Sequence, residues 1–267
     1  MDQKLNDELR AKYNPEGSDL RKAQMRMLEL LRYIAQVCEK NSLRYWLCGG
    51  TMLGAVRHGG FIPWDDDLDI EMPKKDFKKL IKIFKKELPP YYVVHNHHND
   101  PWNILLFTKL RDKDSYFQED CLAQKYKYQG CFVDIFAMEK SSRWICNWSH
   151  KFYFNITRMM YHNMFILGNI TYYIFKAFIQ PLARLLSLFS TEKALYQPIG
   201  KYKNNPRYLC DIYPLQKVSF EGELFYAPHN IDGYLKQIFG DSYMNIPSNI
   251  FQHSNTIKVY SHKNEKV

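Results

Sequence analysis

Gly49-Gly50-Thr51-Met52-Leu53-Gly54-Ala55-Val56-Arg57-His58-Gly59-Gly60-Phe61-Ile62-Pro63-Trp64-Asp65-Asp66-Asp67-Leu68-Asp69-Ile70 decides how this chain folds. An apolar run from Leu43 to Cys48 precedes the glycine pair and reads as a strand. Thr51 to His58 has a helix pattern, and a Gly-Gly-Phe-Ile-Pro loop follows it. Asp67-Leu68-Asp69-Ile70 then alternates with a period of two, and in a strand residues i and i+2 share a face. Asp67 and Asp69 are therefore expected side by side, with Leu68 and Ile70 turned into the core. Two carboxylates held that close repel each other, and a divalent cation with hard oxygen ligands removes the penalty. Strand, glycine turn, helix and a strand bearing paired carboxylates is a construction for phosphates and a metal.

A third carboxylate stands in Gly130-Cys131-Phe132-Val133-Asp134-Ile135-Phe136, again within an apolar, β-branched run. A strand here, paired with the Asp67 strand, would bring Asp134 to the same ion. Acids inside apolar strands are poorly explained by solvation, whereas scattered surface aspartates are. Gly49, Gly50 and Thr51 form a phosphate cradle in this reading: glycines permit close backbone approach, and the helix that follows offers free N–H groups. Arg57 is placed to bridge a pyrophosphate or to make a salt bridge or cap. His58 reads equally as a phosphate donor or a capping residue. Lys109 and Arg111 share one face of a further strand, where phosphate contact is a natural use. Asp65 and Asp66 either shape the turn or reach the metal through water.

These segments together resemble the LicD family, a branch of the nucleotidyltransferase superfamily with a polymerase-β-like fold. The first motif is long and ungapped, Phe132-Val133-Asp134-Ile135-Phe136 is the second, and Phe220-Glu221-Gly222, Ala227-Pro228, Tyr234-Leu235 and Phe239-Gly240-Asp241 add to it. The resemblance spans residues 20–140 and 205–250, while 141–204 carries no motif. It implies an α+β fold: a mixed sheet with flanking helices and an inserted helical segment. It also implies a magnesium- or manganese-dependent transferase that moves a phospho-alcohol from a CDP-activated donor, CDP-choline first. The acceptor would be a hydroxyl of a cell-surface glycan precursor such as a teichoic acid, lipopolysaccharide or capsule, free or lipid-linked, and CMP would leave. Asp67, Asp69 and Asp134 would carry metal and catalysis, and Gly49, Gly50, Thr51, Arg57, His58 and Lys109 would bind the donor. The alternative is a nucleotidyltransferase that moves a nucleotide from an NTP to a small molecule or RNA and releases pyrophosphate; the same metal site serves both. A retired, non-catalytic relative would have no reason to keep three acids in apolar strands.

The net charge of +9 points to anionic partners, nucleotide phosphates, acidic polymers or a membrane surface. No nucleic-acid partner is expected, because no RNA- or DNA-binding pattern is present. Six cysteines without a CxxC spacing read as reduced thiols of a cytoplasmic protein, which would meet a lipid-borne acceptor at the inner face of the membrane. The charged stretch at 1–14 is not a signal peptide, so the Asn-x-Ser/Thr triplets starting at Asn147, Asn155 and Asn169 count as accidental. His95, His97 and His98 lack the partners of a zinc site.

Four parts are expected: a flexible lead over 1–18, a catalytic core with its N-terminal helix over 19–140, a helical insertion over 141–204, and a C-terminal part over 205–267 with a polar tail beyond His253. Ser18 or Asp19 caps the first long helix. Pro73 to Leu88 forms a basic amphipathic helix with seven lysines, either a core-packed helix with a solvated face or a surface for an anionic acceptor or membrane. Trp144 to Phe189 is aromatic and basic, with its best apolar run broken by Asn169 and Lys176. It is too interrupted for a span of roughly twenty apolar residues. Buried or interfacial helices fit it better.

Overall fold

The computed structural model describes residues 2–119, 122–201, 204–250 and 257–260. In chain order the elements are α1 (Gln3–Tyr13), α2 (Asp19–Lys40), β1 (Trp46–Leu47), α3 (Gly49–His58), β2 (Asp69–Pro73), α4 (Lys74–Glu87), β3 (Tyr92–His95), β4 (Thr108–Asp112), β5 (Ser115–Phe117) and β6 (Phe132–Lys140). Then come α5 (Arg143–Tyr161), α6 (Phe165–Ile174), a π turn (Phe175–Ile179), α7 (Gln180–Ser187), β7 (Ala194–Tyr196), β8 (Arg207–Tyr208), α8 (Leu209–Ile212), β9 (Gln216–Phe220), β10 (Glu223–Ala227), α9 (Ile231–Phe239) and β11 (Ile257–Val259). The class is α+β, built on one mixed sheet of order β1-β2-β6-β4-β3, extended from β6 through β7 to β8.

β2 and β6 run parallel at the centre, and their neighbours β1 and β4 run antiparallel to them. Alternation places Leu68, Ile70, Val133, Ile135 and Leu110 in the core. There they meet Met27, Leu31 and Ile34 of α2, with Leu80 and Phe84 of α4 in the same cluster. Ser18 caps α2 by accepting from the Arg21 amide, as the residue type favours. The paired carboxylate strand begins at Asp69 rather than Asp67, although the Leu68 carbonyl still accepts from the Asp134 amide at 2.8 Å.

The lead is not loose. Residues 3–13 form α1, capped by Asp2 and docked on the C-terminus of α3. Asn6 and Arg10 both donate to the His58 carbonyl at 3.1 Å, which satisfies one of the orphan acceptors at the end of α3. Composition could not show this, because the contacts cross about fifty residues of chain. The tail beyond His253 lies mostly outside the described residues, apart from Ile257–Val259, which pairs with β5.

A buried carboxylate ties the C-terminal part to the sheet. Glu71 on β2 is fully enclosed and accepts from Trp46 Nε1, Gln197 Nε2, Arg207 Nε and Tyr234 Oη at 2.8–3.0 Å. Four donors around one acid compensate its burial, and they hold β1, β8 and α9 against β2. The helices α5 to α7 pack around separate small clusters, one of them formed by Ile104, Leu122, Ile156, Met160, Tyr172 and Phe175. No helix among the described residues is long and apolar enough to cross a membrane.

Candidate active site

The site is a row across the sheet. Asp69 on β2 stands opposite Asp134 on β6, and Asp134 stands opposite Lys109 on β4. Directly opposed residues point to the same face, so register alone gathers the three side chains. Asp67, two positions before Asp69, lies beside them: its charge acts on Asp69, and both feel Asp134. The expected trio is therefore brought to one place, with Lys109 among it.

Lys109 Nζ is 2.9 Å from Asp134 Oδ1 and 3.2 Å from Glu119 Oε2. It also stands over the Phe132 ring. Arg111, two positions on and so on the same face, pairs with Glu119 and donates through Nε to His95 Nδ1 at 2.8 Å. A guanidinium can only donate, so His95 Nδ1 accepts and Nε2 carries the proton that it gives to Asp100 at 2.8 Å. Arg111 thus braces the site through Glu119 and His95, and Lys109 is the cation beside Asp134.

The electrostatics are those of crowded acids. Burial, then the charges of Asp134 and Asp66, push Asp67 up to about 7. Burial and the neighbouring Asp67 raise Asp69 well above the ordinary carboxylate range, and burial with Asp67 and Asp66 does the same to Asp65. Asp134 is raised by burial against the opposing pull of Lys109. Burial acts the same way on Glu119, but Lys109 and Arg111 outweigh it and hold that acid down to about 2.

The glycine turn lies directly under these acids. Gly49 has φ +53°, and a Cβ there would sit 3.1 Å from Asp69 Oδ2; one on Gly50 would sit 2.7 Å from Asp65 Oδ2. Any side chain at this turn would meet the carboxylates. The Thr51 hydroxyl accepts from the Asp69 amide at 2.8 Å and fixes the start of α3 to the start of β2. No side chain caps the first turn of α3.

Arg57 and His58 are elsewhere. Arg57 donates through Nη1 to the carbonyls of Tyr243 and Asn245, both at 3.0 Å, and through Nε to His58 Nε2 at 3.0 Å. His58 Nε2 must then accept, so Nδ1 donates to Asn6 Oδ1 at 2.8 Å. Burial, with the cations Arg57 and Arg10 close by, drives the His58 pKa down to about 3. The expected phosphate contacts instead anchor α1 and the C-terminal loop. Arg57 still acts on Asp65 through its charge.

Two residues of the site have no sequence signal. Glu119 lies in a polar stretch without pattern, and Lys201 follows a Pro-Ile-Gly turn. Burial lowers the Lys201 pKa, against the opposing charge of Asp69. A cleft of ≈260 Å3 opens in front of the row, lined by Asp66, Asp67, Lys109, Glu119, Asp134 and Phe132 among others. Leu105, Phe107 and Tyr126 are shared with a second, mainly apolar cleft of ≈460 Å3, which Tyr153, Phe154 and Tyr161 of α5 close and Lys201 borders.

Among the described residues no three His, Cys, Asp or Glu side chains are drawn together tightly enough to hold an ion as they stand. The donor set nevertheless suits a hard divalent cation. It offers several carboxylates around one space, raised by burial and by each other's charge, with Gly49 and Gly50 leaving room beneath.

The family model described as LicD/FKTN/FKRP, nucleotidyltransferase domain, matches residues 42–188. The chain is 39% identical over 80 residues to the lipopolysaccharide cholinephosphotransferase LicD of Haemophilus influenzae, covering 30% of this chain and 28% of that one. It is 31% identical over 145 residues to the Rickettsia prowazekii protein RP689, covering 46% and 53%. It is 50% identical over 48 residues to the human ribitol 5-phosphate transferase FKRP, covering 18% and 10%. The matches thus span about half or less of the length of these relatives.

Proposed function

The chain belongs to the LicD family, and on that premise we propose that it is a phosphotransferase with a polymerase-β-like nucleotidyltransferase core. The donor is a CDP-activated alcohol, CDP-choline first, and the acceptor is a hydroxyl of a cell-surface glycan precursor. Asp67 and Asp69 hold a magnesium or manganese ion, and Asp134 completes the site as a ligand or as the group that takes the acceptor's proton. When bound, the ion supplies charge neutralisation at the phosphoryl oxygens and acidifies the attacking hydroxyl. Lys109 and Lys201 flank the carboxylates and bind donor phosphate oxygens. The first turn of α3 supplies amide donors to the same group. The acceptor oxygen attacks the phosphorus distal to the nucleoside, the anhydride P–O bond breaks, and CMP leaves.

One observation carries this reading: Asp69, Asp134 and Lys109 stand in register on three adjacent strands, with Asp67 beside them. Carboxylates around a space with cations at its rim suit an anionic substrate bound through a metal. The names of the cholinephosphotransferase and ribitol 5-phosphate transferase relatives support transfer of a phosphorylated alcohol.

The test is incubation with CDP-choline, CDP-ribitol and CDP-glycerol in magnesium, reading CMP release. CMP release from one of them, abolished by chelation and in Asp67→Asn, is the expected result. Pyrophosphate release from an NTP, with no CMP from any CDP-alcohol, would replace this reading with nucleotidyl transfer.

A further inference from the structure

Fifteen of the twenty-two exposed large apolar or aromatic side chains among the described residues lie between residues 144 and 189. They are not scattered. α6, the π turn and α7 follow one another without a break, and Ile166, Ile170, Tyr173, Phe178, Leu182 and Leu185 are each between 45% and 74% exposed. The gaps are three or four residues except across the π turn, where the step is five. Five turns of α-helix take about eighteen residues. The π turn adds about one, which keeps Ile166 and Leu185 on one line. The opposite face buries Gly168, Tyr172, Phe175, Gln180, Ala183 and Ser187. The rod is therefore docked by one side and bare on the other.

The segment that carries this stripe has no acid, and the neighbouring helix α4 is basic. No Asp or Glu occurs from Arg143 to Thr191. The two cations of the rod itself are turned inward: Arg184 pairs with Glu139 at 2.8 Å, and Lys176 stands over the Tyr172 ring. The outward charge comes from α4. Glu139 also pairs with Lys74 at the start of α4, so one acid joins the two elements. Phe77 of α4 lines a cleft of ≈390 Å3 together with Tyr173 and Lys176. Along α4, Lys75, Lys78, Lys79, Lys82, Lys85 and Lys86 are all exposed.

We infer that this face is a membrane-docking surface, with the α6–α7 stripe seated in the plane of an anionic bilayer and the α4 lysines meeting its headgroups. An apolar stripe without acids beside a lysine helix is complementary to an acidic interface, since buried apolar area and attraction to anionic lipid add. The rod lies on the bilayer and does not cross it, because its other face is committed to the protein core. The apolar cleft beside the carboxylates is closed by α5, which packs on α6. Docking therefore brings the catalytic mouth close to the lipid surface. The inference concerns where the chain sits and does not depend on which donor it uses.

The test is co-sedimentation of the full chain with vesicles of phosphatidylcholine alone or mixed with phosphatidylglycerol. Wild-type protein is expected to pellet with the mixed vesicles at low salt. Ile170→Ser/Phe178→Ser/Leu185→Ser, all at exposed positions, should lower the bound fraction about tenfold with an unchanged unfolding midpoint. Lys78→Gln/Lys82→Gln/Lys85→Gln should abolish the preference for anionic vesicles. Equal partitioning of wild type and both variants would overturn the inference. So would a wild-type dimer in sedimentation velocity that the serine variant converts to a monomer while neither pellets with vesicles, since a second copy would then own the stripe.

Discussion

Lys109 stands opposite Asp134 across β4 and β6, and its ammonium lies 2.9 Å from the carboxylate. The pair explains how a sheet can hold so many acids on one face before any ion arrives. The lysine also reaches Glu119, so one cation serves two carboxylates. Lys109→Met removes that compensation and leaves both acids with less. It should cost about 3 kcal/mol in unfolding free energy. CMP release should fall by on the order of a hundredfold or more. A variant with wild-type stability and turnover would show that the ammonium is not needed.

Asp67→Asn and Asp69→Asn keep shape and remove charge. Each should lower turnover by on the order of a thousandfold. Circular dichroism should be unchanged. Near-normal turnover in a folded variant of either would remove that residue from the metal site.

The same substitution at Asp67 should act oppositely on stability when a chelator is present. The folded pKa of Asp67 is raised to about 7, well above that of the unfolded chain. Its contribution is therefore fully present below the unfolded carboxylate pKa and is lost as pH rises through 7. Asp67→Asn should then be more stable than wild type at pH 8, on the order of 1–2 kcal/mol given the open side of the cleft. The gain should vanish by about pH 4. Magnesium should stabilise wild type and not the variant. Paired urea titrations across this range read both effects, and a pH-independent difference would contradict the crowding of the acids.

Gly49→Ala tests the turn. Its φ of +53° and the 3.1 Å approach to Asp69 Oδ2 act together. The left-handed backbone costs an alanine about 1 kcal/mol. The larger expected effect is on activity, because the Asp69 carboxylate has to move. Equal activity at reduced stability would mean that the turn is only a turn.

His58 gives a second pH signature. Its folded pKa is depressed to about 3, so its contribution to stability is present above the unfolded value and is lost as pH falls toward 3. Asn6→Ala removes the acceptor of its Nδ1 proton and loosens α1. The variant should lose about 1 kcal/mol at pH 7. It should also show a shallower decline in stability between pH 6.5 and 4 than wild type. Identical pH profiles would place the histidine outside this linkage.

Much of the site is local in origin and could be read directly. Alternation set Asp67 and Asp69 on one side and Leu68 and Ile70 on the other, because period two is a property of the backbone. Asp134 stood out because an acid in an apolar strand is costly unless something uses it. Gly49 and Gly50 were legible as a turn with space above it. The basic helix α4 and the aromatic segment after it were legible as a pattern, though not as neighbours. At the end of a helix, Arg57 and His58 could be read either as phosphate contacts or as salt-bridging and capping residues, because a long side chain and a ring can turn either way. The carbonyls of Tyr243 and Asn245 and the amide of Asn6, all distant in sequence, turned them into an anchor. Glu119 and Lys201 carry no local pattern, and only folding moves their charges beside Lys109 and Asp69. The register that opposes Asp69, Asp134 and Lys109 is likewise a tertiary fact: each strand declares its faces, but a shift of one residue between strands would have put the acids on opposite sides.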